Sequence, residues 1–97
     1  MAEALYATME EGRAEECKRT GVDYVAEGWA PARVNKALGD FAKLEGDAAK
    51  RFQDTWDAYL DAPENAARSP PYSLSFFLAS RSTWESKALQ AAAEASP

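Results

Sequence analysis

Apolar and polar residues recur with a helical period along most of the chain, and the period is sharpest in its middle third. At about 100° per residue, Val34, Ala37, Leu38, Phe41, Leu44 and Glu45 fall within an arc of about 120°. Arg33, Asn35, Lys36, Gly39, Asp40 and Lys43 fill the rest of the circle. This predicts an amphipathic helix. Pro31 suits its first position, where a backbone N–H would have no partner anyway, and Gly46 suits its stop. Asp47 then offers a carboxylate to the free N–H groups of a following helix. In that helix Ala48, Ala49, Phe52, Trp56, Tyr59 and Leu60 share one face, with Asp54, Asp57 and Asp61 opposite. Two such helices joined by Gly46-Asp47 are expected to lie antiparallel, apolar face to apolar face, as a hairpin over residues 31–61.

The flanks are less regular. A first helix is expected from Glu3 to Arg19, with only Leu5, Met9 and Cys17 as its apolar stripe, ended by Thr20-Gly21 because glycine adopts the left-handed cap conformation without strain. GVDYVAEGWAP suggests a single turn around Asp23 to Glu27. Past the hairpin, DAPENAARSPP reads as a crossing loop. Ser73 is placed to cap a short turn carrying Leu74, Phe76, Phe77 and Leu78, and Ser82-Thr83-Trp84-Glu85 has the pattern of a capping box opening a last helix. Beyond Trp84 that helix has only Ala88, Ala91, Ala92 and Ala95 to bury. β-branched residues are confined to Val22, Val25, Val34 and four threonines, which argues against strands. The expected fold is all-α. It is a single small domain over residues 1–97 with one core and about four helices, built on the hairpin, with a docking loop and short helix at 66–80 and a last helix at 82–95.

SPPYSLSFFLASRSTWES concentrates two prolines, four aromatics and two leucines near the carboxyl end. Pro70 and Pro71 are expected to stiffen an extended approach at little entropic cost, so that Tyr72, Leu74, Phe77, Leu78 and Trp84 are laid across the open side of the hairpin. Burying each large side chain there contributes about 1.5–3 kcal/mol. The predicted core is Val34, Leu38, Phe41, Leu44, Phe52, Trp56, Tyr59, Leu60, Leu74, Phe77, Leu78 and Trp84.

Composition narrows the range of functions. Ninety-seven residues hold one core, and a chain 46% hydrophobic and 28% charged has both an interior and a water-facing exterior. The first residues are acidic where a secretory leader is basic, and no apolar run approaches the length of a membrane span, so a cytoplasmic protein without a membrane partner is expected. Cys17, the sole cysteine, is expected to be a core residue. The net charge of −5 opposes attraction of the whole molecule to nucleic acid. Residues 66–97 nevertheless carry Arg68, Arg81 and Lys87 against Glu85 and Glu94, so an anionic partner meets that end first.

Catalytic chemistry is not expected. There is no histidine, which removes the usual general base and the common metal ligand, and the five glycines are isolated at turn-like positions rather than gathered in a phosphate loop. Asp54, Asp57, Asp61 and Glu64 read as a solvated face, and Glu10, Glu11, Glu15 and Glu16 as a solvated helix partnered by Arg13, Lys18 and Arg19. Among the aromatics, Trp29, Tyr72 and Trp84 remain candidates for stacking on bases, with core packing the favoured reading. No cofactor, metal or small-molecule substrate is expected.

The helix ending in Trp56, Tyr59 and Leu60, the polar loop after it, and PPYSLSFFLASRSTWE together resemble the carboxyl-terminal module of phage and prophage replication proteins of the helicase-loader kind. The resemblance spans residues 31–86. It rests on VNKALGDFAKLEGDAAKRFQDTWDAYL, on a proline-flanked Y-x-L-x-x-F-L element (Tyr72, Leu74, Phe77, Leu78) and on Trp84. It implies a non-enzymatic helical adaptor in DNA replication that binds a helicase or an initiator and has DNA as a further possible contact. The expected contact side is the tail, where Arg68, Arg81, Lys87 and Tyr72 lie. Charge alone supports a second reading, a small acidic inhibitor or regulator of phage or mobile-element type. It would cover a basic surface of a host protein with Glu10, Glu11, Glu15, Glu16, Asp54, Asp57 and Asp61.

Overall fold

Gly21 ends the first helix as its sequence predicts. Its φ is +77°, and Val22 N–H reaches back to the Cys17 carbonyl at 3.0 Å, the long bond of a Schellman cap. Pro31 opens the next helix, and the Ser73 hydroxyl accepts from Phe76 N–H to start a short one. The computed structural model describes residues 2–95 and contains α1 (Ala2–Thr20), α2 (Pro31–Ala42), α3 (Gly46–Asp61), a 3-10 turn at Pro63–Ala67, α4 (Leu74–Ala79) and α5 (Arg81–Ala95). The all-α class holds, and among the described residues there is no strand. No helix among them is long and apolar enough to cross a membrane.

The helices pair differently from the expected hairpin. α2, whose buried positions are Val34 and Leu38, packs along α1, and α3 packs along α5. Face-to-face closure of α2 on α3 is not the main contact; the two meet where Phe41 stacks on Phe52 at 4.6 Å. The reason lies in α1, which carries more buried surface than its thin stripe suggested: Ala2, Met9, Arg13 and Cys17 are all buried. Gly12 lets α1 approach α3, since a β-carbon there would sit 3.3 Å from Trp56 Nε1 and 3.4 Å from Leu60 Cδ1. Gly12 is therefore a mid-helix contact glycine and not the turn residue its isolation suggested.

The segment after the prolines folds back into the interior. Tyr72, Leu74 and Phe77 are fully buried and Trp84 nearly so. Phe77 lies edge-on to Trp56 at 4.9 Å and tilted against Tyr59 at 5.2 Å, and Trp84 closes edge-on to Tyr59 at 5.3 Å. Such geometries satisfy the ring quadrupoles as well as the area term. The approach itself is a bend and turn through Arg68–Tyr72, with a cis Ser69–Pro70 bond, rather than the extended run expected of Pro70 and Pro71.

Several local expectations are corrected. Residues 22–30 form an irregular loop, without a turn of helix at Asp23–Glu27. Glu45 is the cap position of α3 and makes no side-chain cap bond, and Asp47 is the second residue of the helix, within its first turn. α5 already starts at Arg81, so Ser82 does not cap it. Ser80 joins α4 to α5 instead, giving its hydroxyl to Phe76 O at 2.6 Å and accepting from Trp84 Nε1 at 2.8 Å. Of the predicted core, Phe41, Leu44, Phe52 and Leu78 are only half-buried, the first three because they border the open corner between α2 and α3.

Candidate protein-binding site

The most densely bonded side chain is Arg13, which is fully buried on α1. Its Nε donates to Tyr72 O at 3.0 Å, and its terminal nitrogens donate to Pro71 O at 2.9 Å and Val25 O at 2.8 Å. The same group is paired with the Glu10 carboxylate, which in turn accepts from Glu27 N–H at 2.8 Å. Glu27 passes the connection on by accepting from Leu74 N–H at 2.7 Å. A planar fork of five donors suits such a junction, where carbonyls from two loops arrive from different directions. The group is fully occupied and acts as a structural clamp. Its sequence signal was position: Arg13 sits four residues after Met9 and four before Cys17, inside the apolar stripe.

The cations and the tyrosine expected at the partner-binding side do not gather. Tyr72 is fully buried, with its backbone in the left-handed region at φ +56° and its carbonyl bound to Arg13, so it offers nothing to a partner. Arg68 lies over the Phe76 ring at 3.9 Å and donates to Asn65 Oδ1. Lys87 is 5.0 Å from the Trp84 ring centre and 3.9 Å from a Glu64 oxygen. Arg81 lies over Phe41 at 4.8 Å. Trp29 and Trp84 are buried as well, so neither presents a ring face on which a base would stack.

The acidic set is likewise divided. Glu10 turns inward to Arg13, Glu16 pairs with Arg19, Asp54 pairs with Lys50 at 2.9 Å, and Asp57 accepts from the Gln53 amide at 2.9 Å. Glu11, Glu15 and Asp61 are exposed. Asp54, Asp57 and Asp61 rim a shallow groove floored by Ala88, Ala91 and Ala92 of α5.

The surface feature that the sequence did not announce is the open corner itself. Phe41, Leu44 and Phe52, all half-buried, form a ridge between two hollows. The hollow on the α1 side, about 350 Å³, is completed by apolar Ala4 and Leu5 and polar Thr8 and Gln53. The hollow on the α5 side, about 200 Å³, is rimmed by Arg51, Arg81 and Glu85. Periodicity placed these three apolar residues in the core; what it lacked was the knowledge that α2 turns toward α1 and leaves their outer edges in water. Comparison with known proteins brings no match: no family model, no curated protein and no solved structure matches this chain.

Proposed function

We propose that this chain is a protein-binding domain that works by holding a partner rather than by transforming a substrate. The observation that carries the reading is the ridge of Phe41, Leu44 and Phe52 left half-buried between two hollows with arginines at one rim. Aromatic side chains and arginine are the residue types that supply most binding energy at protein interfaces, and a concave apolar floor with a charged rim is the anatomy of such contacts. Within this reading the partner we favour is a DNA-replication protein, a helicase or an initiator, on the strength of the segment at residues 31–86 that resembles the phage replication module. Direct contact with DNA is not required, because Arg68 and Lys87 are engaged with rings and side chains of this chain.

The second reading, an acidic inhibitor of a basic host surface, is favoured by the row Asp54, Asp57 and Asp61 along one exposed face of α3. The two separate in one experiment: cross-linking in the native cell followed by capture of the full chain, with three variants beside the parent. Leu44→Ser alters the ridge, the triple change to lysine at Asp54, Asp57 and Asp61 reverses the acidic face, and Arg68→Glu with Lys87→Glu reverses the tail. The expected result is loss of the captured protein with Leu44→Ser and retention with the other two. Loss confined to the lysine triple variant would replace the proposal with the inhibitor reading.

A further inference from the structure

The arginines at the ridge differ from the other arginines of the molecule. Arg13 is bound by Glu10 and three carbonyls, Arg19 by Glu16, Arg33 by the Ser75 hydroxyl at 2.8 Å and Arg68 by the Asn65 side-chain Oδ1 at 3.2 Å. Two arginines remain, Arg51 and Arg81. Among the described residues neither guanidinium has a hydrogen-bond acceptor or an ion-pair partner, and both line the same hollow. The Arg81 guanidinium carbon lies 4.8 Å from the centre of the Phe41 ring, a cation–π contact that uses none of the N–H donors of the fork in a hydrogen bond. Glu85, one helical turn after Arg81, lines the hollow too and does not pair with it.

We infer that this corner docks an acidic amphipathic segment of a partner protein, placing apolar side chains on either side of the ridge and a carboxylate between Arg51 and Arg81. The inference rests on the protein-binding reading above and adds the chemistry of the partner. Three physical points lead to it. The hollows, about 350 and 200 Å³, sit at or below the lower end of the range for small-molecule sites, about 300–1,000 Å³, and are open, so they suit side chains of a chain segment better than an enclosed ligand. A guanidinium receives a carboxylate through two parallel hydrogen bonds, and an apolar floor strengthens that pairing by excluding water. Arg51 and Arg81 outnumber the single carboxylate of Glu85 in the lining, so the local sign is positive although the whole chain carries −5. The overall charge slows the approach of an acidic segment, and recognition is consequently short-ranged.

The test is fluorescence anisotropy with the full chain and a fluorescein-labelled peptide that repeats leucine and phenylalanine at helical spacing with glutamates between. The controls are the same anchors with lysines between and a scrambled acidic peptide of equal composition. The acidic amphipathic peptide is expected to bind at least about tenfold more tightly than either control, and Arg51→Glu and Arg81→Glu are each expected to weaken it by about tenfold or more. Leu44→Ser is expected to weaken it similarly, with a thermal midpoint close to the parent's showing that the fold survives. Equal binding of the lysine peptide, or indifference to both arginine changes, would overturn the inference. So would a dimer in sedimentation that Leu44→Ser dissolves, since the occupant is then a second copy of the chain. If no peptide binds yet cellular capture still depends on Leu44, protein binding stands and the acidic segment falls. If capture ignores Leu44 as well, the protein-binding reading itself falls.

Discussion

Tyr59 and Tyr72 show how single residues in the interior carry polar as well as apolar constraints. The Tyr59 hydroxyl donates to Ser73 O at 2.7 Å while its ring is fully buried. Burial pushes its pKa well above the ordinary value, against a smaller opposing effect of Arg68 and Arg13. The fold thus favours the neutral phenol. Its contribution is complete below the unfolded pKa of about 10 and is lost as pH rises through the higher folded value. Urea midpoints are expected to be insensitive to this group through neutral pH and to fall in alkali. Tyr59→Phe is expected to cost about 1 kcal/mol at neutral pH, because Ser73 O keeps its bond from Phe77 N–H at 3.0 Å, and to flatten the alkaline fall. An alkaline slope unchanged by the substitution would assign that fall to other groups. Tyr72 carries a different constraint. A tyrosine at φ +56° costs on the order of 1–3 kcal/mol, offset here by a buried ring, by Asn65 O accepting from its N–H at 2.8 Å and by Arg13 bonding its carbonyl.

At the scale of elements, α4 and α5 act as the cover of the aromatic core. Trp84 is buried against Tyr59 and tied through Nε1 to Ser80, the residue between the two helices. Trp84→Ala removes a large core side chain and this link together, and is expected to cost about 3–5 kcal/mol in urea unfolding; a midpoint equal to the parent's would refute the cover role. This docking was legible in the sequence, as were the helices themselves, Pro31 at the start of α2, Gly21 at the end of α1 and the Ser73 cap. The caps and helix ends are set by residues within a few positions of one another, and the docking by the density of aromatic and aliphatic residues within one short segment. The conformation of residues 22–30 was not legible because its backbone groups are held from a distance: Trp29 N–H by the Tyr6 hydroxyl at 3.0 Å, Glu27 N–H by Glu10 and Val25 O by Arg13. The open corner at Phe41, Leu44 and Phe52 was hidden for a related reason. Periodicity identifies which face of a helix is apolar, while the partner of that face is fixed by packing of α1, whose arginine and glycine within the buried stripe carry no conventional signal of burial.

The whole molecule consists of two helix pairs, α1 with α2 and α3 with α5, and its cooperativity depends on what joins them. One joint is the close passage of α1 over Trp56 and Leu60 at Gly12. A second is the stack of Phe41 on Phe52, and a third is Arg13, which reaches from α1 to the loop before α2 and to the turn before α4 at once. Arg13→Met keeps much of the apolar stem but removes the donors from three carbonyls and the Glu10 carboxylate, all buried or partly buried, and is expected to cost about 3–5 kcal/mol. The loss should not be spread evenly. In the parent, native-state hydrogen exchange is expected to give the best-protected amides of α2 and of α3 the same opening free energy, since neither pair opens alone. In Arg13→Met the amides of α1 and α2 should open at lower free energy than those of α3 and α5, whose aromatic contacts do not involve Arg13. Uniform loss of protection across all four helices would show that the clamp stabilises one indivisible core; loss confined to the α1–α2 pair would identify Arg13 as the coupling between two packed halves.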